Sequence, residues 1–271
     1  MRVRWIAAAL TLALCFSLAA CGHPPVSGEQ EQELPTLRIG SDDYEPYSYQ
    51  DEKGDFTGID VDLAKEACRR LGYRPEFQQV IWENKDQELA IGNIDCVWGS
   101  FTMTGREDLY QWAGPYLYGR QMVLVRADSD ITTLADLAGK RVAVQATSKP
   151  ETVFLERPEP ERVPEVGAVY CFSTMEEVYS AIRKDFVDAI AGHEGALRTF
   201  MEESPRSWRI LDQSLLVSAL GVAFLKGTNE SLSARLTAVL QEMQEDGTTK
   251  TIVEKYGLNP DKFFLERGGS S

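Results

Sequence analysis

Residues 97–106 read VWGSFTMTGR. An apolar run gives way to Gly99, then hydroxyls stand at every second place, Ser100, Thr102 and Thr104, and Arg106 closes the row. A guanidinium carries a planar fork of donors that matches a carboxylate, and such charge-assisted bonds are about twice as strong as neutral ones. Arg106 can instead cap its local turn or pair with Glu107 or Asp108. A second place with chemistry is VAVQATSKPE, which ends a strand pattern and begins a helix pattern. The first N–H groups of a helix attract a carboxylate. Thr147 and Ser148 fall there, with Lys149 beside them, although Ser148 is also the N-cap candidate and Pro150 removes one N–H. Lysine on such a turn is also ordinary solvated surface. Metal chemistry has no foothold: the chain has two histidines, and no pair of cysteines has ligand spacing. No nucleophile–base constellation stands out.

The chain has 271 residues, of which 43% are hydrophobic, enough for one or two globular cores. A formal charge of −14 excludes a nucleic-acid-binding surface, and the acids are spread along the chain as solubilising surface. Arg2 and Arg4 precede the run WIAAALTLALCFSLAA, which is short for a membrane span and ends in small residues. That is the layout of a secretory signal, residues 1–20. Its end, Leu18-Ala19-Ala20-Cys21, resembles the lipobox of bacterial lipoproteins, in which the cysteine is acylated. Residues 21–35 then read as a polar, Pro/Gly-containing tether. Buried acyl methylenes contribute about 0.8 kcal/mol each, so several chains on Cys21 would hold the protein to a bacterial cell membrane. Once Cys15 and Cys21 are set aside, Cys68, Cys96 and Cys171 remain. Three thiols cannot all pair, and each lies in an apolar-patterned element, so buried free thiols are expected rather than a disulfide.

The elements that must position these groups alternate. LRIG reads as a strand, and DVDLAKEACRRLG as a helix stopped by Gly72. RPEFQQV is strand-like, ENKDQELAIGN helical and IDCVWGS a buried strand. TLADLAGK and RVAVQ repeat the helix–strand step. SKPETVFLER and STMEEVYSAIRKD read as helices with capping boxes from Ser148 to Glu151 and from Ser173 to Glu176. AVYCF is a strand between them. VDAIAG then HEGALRTFMEE is another strand–helix pair, and a helix from Asn229 to Asp246 is ended by Gly247. The alternation predicts an α/β fold with parallel-rich sheets. YLYGRQMVLVRAD and SLLVSALGVAFLKG are long β-like stretches with no helix between them, suited to two strands crossing between lobes. One lobe then takes residues 36–119 and 219–267, the other 120–218, with a ligand in the cleft.

IGSDDYEPY, GDFTGIDVDLAKEACRRLG, GNIDCVWGSFTMTGRE, WAGPYLYGRQMVLV, DLAGKRVAVQATS, VDAIAGHE and EDGTTKTIVEKYG, in that order, resemble the polar amino-acid branch of the bacterial extracellular solute-binding proteins. The resemblance runs from about Leu37 to Phe264 and implies the two-lobed periplasmic-binding-protein fold. It implies that Arg106 clamps an amino-acid carboxylate, with Gly99, Ser100, Phe101 and Thr102 contributing backbone and hydroxyl groups. Only Gly105 stands between Thr104 and Arg106, one residue fewer than the family pattern, and Gly105 is free to absorb the difference in its dihedrals. Tyr44 and Trp82 match positions that enclose the ligand side chain, with core packing as the plainer role of Trp82. Asp42 either receives a side-chain cation or holds a turn. Thr147, Ser148 and Lys149 match the second lobe's contribution. Where the family places an aspartate for the ligand ammonium, this chain has His193 followed by Glu194. Either Glu194 takes over, or the ligand lacks an ordinary ammonium.

The resemblance implies a binding protein that passes a small polar amino acid, or a related zwitterion, to the permease of an ATP-driven importer, without chemistry or cofactor and as a monomer. Asp42, Tyr44 and Trp82 lean towards a cationic or polar amino acid. The alternative on the same fold is a dehydratase of prephenate-like acids using Lys149, His193 and Glu194. A sensory domain is a third reading.

Overall fold

A computed structural model describes residues 33–204 and 206–263. The proposed signal, most of the tether and the acylation candidate Cys21 lie outside the described residues. The chain opens with β1 (Thr36–Ser41), the short ribbon β2 (Tyr49–Gln50) and β3 (Phe56–Thr57), and α1 (Ile59–Leu71). Helix α1 buries Ile59, Leu63, Ala64, Ala67 and Cys68 on one side. Acids stand in its first turn and Arg69 and Arg70 in its last, which complements the helix dipole, and Gly72 closes it in the left-handed region at φ 75°. Next come β4 (Arg74–Gln79), a 3-10 turn (Trp82–Asn84), α2 (Lys85–Ala90), β5 (Cys96–Val97) and β6 (Tyr110–Arg126).

A 3-10 turn (Leu134–Leu137) leads to β7 (Arg141–Gln145), α3 (Lys149–Glu156), β8 (Ala168–Phe172), α4 (Met175–Arg183), β9 (Ala189–His193) and α5 (Glu194–Glu203). The described chain then runs through β10 (Trp208–Ile210), β11 (Leu216–Leu225), α6 (Glu230–Glu245) and α7 (Thr248–Lys255) to a last 3-10 turn at Pro260–Lys262.

The sheet runs β4-β1-β5-β11-β6-β9-β7-β8, with β10 also on β6. At either end the strands are parallel, β1 between β4 and β5, and β7 between β8 and β9. The middle is antiparallel: β11 pairs β5 and β6, and β6 pairs β9. The fold is two-lobed, and β6 and β11 are the crossing strands. The first part of β6 pairs along β11, from Tyr110 opposite Leu225, while Gln121–Val125 pair β9. Alternate residues of β6 serve different cores. Leu117, Met122 and Leu124 join the cluster under α1, α4, α5 and α6, whereas Val123 and Val125 pack with Val142, Val144, Leu134 and Leu137.

Several expected elements change length. The crossing strand starts at Tyr110, before Gly114-Pro115, which reads as a break. The chain accommodates that pair through a register shift between Leu220 and Val222 of β11. The expected strand IDCVWGS pairs only at Cys96 and Val97, because Ser100 turns into the left-handed region at φ 49°. TLADLAGK makes only the four-residue 3-10 turn, capped by Thr133 and Asp136. The box expected from Ser173 to Glu176 sits one residue later, from Thr174 to Glu177. At α3 only half the expected box forms: Ser148 Oγ accepts the Glu151 N–H, but the Glu151 carboxylate accepts the Thr147 N–H at 2.8 Å. All three thiols are free; Cys68 and Cys96 are buried as expected, but Cys171 is exposed.

Candidate ligand-binding site

Between the lobes lies a pocket with about 410 Å³ of empty space, its open mouth included, of which about 30 Å³ admits the centre of a water-sized sphere. Asp42, Tyr44, Trp82, Gly99, Ser100, Phe101, Thr102 and Arg106 line it from one side, and Ser148, Lys149 and His193 from the other. Gln121 on β6, Gln145 at the end of β7, Pro150, Met175 and the Ala191-Gly192 pair of β9 complete it. Most of these residues follow the carboxyl ends of strands, where open α/β sheets place ligands.

The hydroxyl row serves the scaffold. Ser100 gives its backbone N–H to the buried Asp60 carboxylate at 2.6 Å, and its hydroxyl approaches the same oxygen at 3.4 Å. Thr102 Oγ1 turns to Ser218 at 3.4 Å, and Thr104 Oγ1 accepts the Ala219 N–H at 3.1 Å. Ser100 and Thr102 thus have partners within the scaffold while both still line the cavity. They pin the loop that delivers Arg106. Burial raises Asp60 to about 7 against the pull of those Ser100 bonds. Gly105 takes the left-handed conformation at φ 73°, which glycine adopts without strain.

Two cations bond Thr147, and a third stands over Gly105. Arg106 donates to the Thr147 carbonyl at 3.0 Å, and Lys85 Nζ donates to its hydroxyl at 3.1 Å. Lys149 reaches over Gly105, where an added Cβ would stand 2.8 Å from its Nζ. Thr147 holds φ 56°, an outlier for a β-branched residue, of the kind maintained only where the surroundings over-determine it. With its N–H given to Glu151, Thr147 is a hub joining the lobes and does not line the cavity. The same Glu151 carboxylate takes the N–H just ahead of the N-cap, and the Glu151 N–H goes to Ser148 Oγ at 3.4 Å.

The aromatic faces are already used. Lys85 Nζ, in a side chain 2% exposed by residue, lies 5.0 Å from the Trp82 ring centre and 5.6 Å from that of Phe101. The Arg106 guanidinium lies 5.3 Å from Phe101. Trp82 meets Phe101 edge-on at 5.1 Å, so its core role and its cavity-lining role coexist. Burial lowers the pKa of Lys85 and of Arg106. At Lys149 burial acts first and the neighbouring Arg106 second, in the same direction.

On the facing side Asp42 Oδ2 accepts from Gln145 Nε2 at 2.8 Å, while Oδ1 is buried without a partner among the described residues. Burial pushes Asp42 up to about 6, opposed by the Gln145 bond. His193 gives its backbone N–H to the Tyr44 hydroxyl at 2.9 Å. Its Nε2 lies 3.1 Å from the Ser100 carbonyl and 2.8 Å from the Gln121 amide. A proton on Nε2 satisfies Ser100 and calls for the oxygen of Gln121, a half-turn of an amide whose two ends are alike in shape. Burial holds His193 down to about 4, against the Ser100 carbonyl, so the ring is neutral near pH 7.

Glu194 is not brought to the cavity. It begins α5 on the outer side, where its carboxylate pairs with Arg120, with Arg198 at 2.7 Å and with Lys262 at 3.3 Å. Burial pushes Glu194 up, but Arg198, Arg120 and Lys262 outweigh it and leave it below the usual carboxylate range. The set Lys149, His193 and Glu194 considered for acid–base chemistry is therefore not assembled. Sequence reading missed Gln121, Gln145, Lys85 and Asp60. Gln145 was findable as the last residue of a strand next to the switch from strand to helix. Lys85 carries no such signal, since a lysine in a polar helix is normally surface.

The sequence model described as bacterial extracellular solute-binding proteins, family 3, matches residues 37–259. The histidine-binding periplasmic protein of Salmonella typhimurium is 28% identical over 261 residues, 93% of this chain and 96% of that relative. A crystal structure of Tv2483 bound to L-arginine superposes with a TM-score of 0.75 at 29% identity, over 83% of this chain and 92% of that one. An ancestral amino-acid-binding protein, AncCDT-1, a precursor of cyclohexadienyl dehydratase, superposes with a TM-score of 0.71 at 28% identity, over 82% and 95%.

Proposed function

The chain belongs to the bacterial extracellular solute-binding proteins of family 3, and on that premise we propose that it captures a small polar amino acid or related zwitterion and delivers it to the permease of an ATP-driven importer. Its working place is outside the cytoplasm, held to the bacterial cell membrane through acylated Cys21, with residues 1–20 removed and 21–35 as tether. Residues 36–119 and 219–267 form one lobe and 120–218 the other, and the protein acts as a monomer. The ligand bridges the lobes, and its binding shifts the open–closed equilibrium, the hinge mode of periplasmic binding proteins.

One observation carries the reading. Arg106 lines a cavity between the lobes, its side chain part-buried and, among the described residues, bonded to the Thr102 and Thr147 carbonyls but without a carboxylate within 4 Å. Withdrawing a cation from water without a counter-charge is costly, and a ligand carboxylate supplies the missing partner. Tyr44, Trp82 and Phe101 wall the ligand, Gly99 lets the loop approach it, and His193 and Gln121 offer neutral hydrogen-bonding groups. The dehydratase reading receives no support from the site, because Glu194 points elsewhere.

Thermal unfolding of the purified protein with each common amino acid and with small carboxylic acids tests this. A ligand at a hundredfold its Kd adds about 2.7 kcal/mol, a rise of about 5–10 °C at this size. Arg106→Met should abolish the rise while the ligand-free midpoint stays within a few degrees. No rise with any compound would overturn the reading.

A further inference from the structure

The charge of the cavity opposes that of the chain. We propose that the site takes an anionic ligand carrying two carboxylates, with or without an amino group, and rejects the basic amino acids; this rests on the cavity being the capture site. Arg106 and Lys149 line it, Lys149 reaching over Gly105, and Lys85 joins Arg106 in bonding Thr147. Neither Arg106 nor Lys149 has a carboxylate within 4 Å among the described residues, and Lys85 has only Asp86 at 3.9 Å. That Asp86 carboxylate stands at the surface and also accepts the Tyr110 hydroxyl at 2.5 Å. Glu151 is committed to the Thr147 N–H. One carboxylate of the ligand satisfies one cation. The second cation lining the cavity needs a second acid.

The groups that would receive a positive ligand are outnumbered. Asp42 is the one carboxylate lining the cavity, Gln145 holds its Oδ2, and its Oδ1 alone stands against two lining cations. His193 lines the same cavity, a ring 5% exposed by residue and bonded to the Ser100 carbonyl. Burial keeps that ring uncharged near neutral pH, and an uncharged ring gives an ammonium a hydrogen bond but no counter-charge. Two of the cavity's aromatic rings, Trp82 and Phe101, already have the protein's own cations Lys85 and Arg106 against them. Of the cationic or polar amino acids towards which Asp42, Tyr44 and Trp82 lean, the Lys85 ammonium on the Trp82 ring disfavours the cationic ones.

Calorimetric titration of the purified protein at pH 7.5 separates the classes. The panel is L-glutamate and L-aspartate, their amino-free counterparts 2-oxoglutarate and succinate, the neutral isostere L-glutamine, and L-arginine and L-histidine. At least one dicarboxylate should bind ten times or more tighter than L-glutamine and L-arginine. Comparing the first two pairs tells whether the amino group is required. Lys149 is half-exposed, so Lys149→Met should fold with an unchanged unfolding midpoint. That variant should weaken the dicarboxylate tenfold or more, but L-glutamine by no more than about threefold. Tighter binding of L-arginine or L-histidine, lost in Arg106→Met, would overturn the inference and leave the capture site standing. Equal weakening of all ligands by Lys149→Met would also overturn it. No binding by any member of the panel would overturn both.

Discussion

His193 and Asp42 face the same cavity with opposite proton preferences. Burial holds His193 down to about 4 and pushes Asp42 up to about 6, so both side chains favour their neutral forms in the folded protein. For His193 the unfolded chain binds more protons between about pH 6.5 and 4, so stability from this residue rises with pH across that window. For Asp42 the folded state binds more protons between the ordinary carboxylate value and about 6, so its contribution falls as pH rises there. Asp60, raised by burial to about 7, has the same sign as Asp42. Replacing one residue at a time uncovers the two slopes. Relative to His193→Gln, the wild type should gain about 3 kcal/mol from pH 4 to 6.5, at about 1.4 kcal/mol per pKa unit. Relative to Asp42→Asn it should lose stability from pH 4 towards 6. Urea titrations at half-unit pH steps measure both, and parallel curves for wild type and His193→Gln would refute the buried neutral ring.

Helix α4 shows at the scale of elements what a sequence can and cannot fix. Ser173, Thr174, Glu176 and Glu177 offer two capping boxes one residue apart, and pattern alone does not choose between them. The fold does: Ser173 Oγ bonds Glu83 at 2.6 Å, so Thr174 becomes the cap, exchanging bonds with Glu177 at 3.2 and 3.0 Å. Thr174→Ala should therefore cost about 1 kcal/mol, with Ser173→Ala nearly neutral, as read from denaturant midpoints at unchanged slope. Reversed values would place the cap at Ser173. The same distinction runs through the chain. Helix α1 was legible because its apolar spacing, its end charges and Gly72 agree. The length of β5 was not, since its two residues pair only as far as the left-handed turn at Ser100 permits. Arg106 was legible from its place in a row, but the use of the row was not, because the partners Asp60, Ser218 and Ala219 come from distant segments. Glu194 was misplaced by one step of the chain: at the junction of β9 and α5, successive side chains leave towards opposite sides.

At the scale of the whole molecule, closure has its own bonds. Six side-chain hydrogen bonds join residues before β6 to residues between β6 and β11: Gln145 to Asp42, the His193 N–H to Tyr44, His193 Nε2 to the Ser100 carbonyl, Arg106 and Lys85 to Thr147, and Ser173 to Glu83. Five involve residues at the cavity or the Thr147 hub. The Ser173–Glu83 bond stands apart, since neither residue lines the cavity. A net contribution of about 0.5–1.5 kcal/mol is ordinary for one hydrogen bond. If this bond exists only when the lobes meet, its loss lowers the population of the closed state and leaves the cavity's own contacts intact. Apparent affinity scales with that population, whichever ligand is used. Ser173→Ala should then raise Kd about two- to tenfold, by the same factor for every ligand that binds. The unfolding midpoint without ligand should not move. A factor that differs between ligands would mean that Ser173 acts on the cavity itself, and an unchanged Kd would mean that closure does not need this bond.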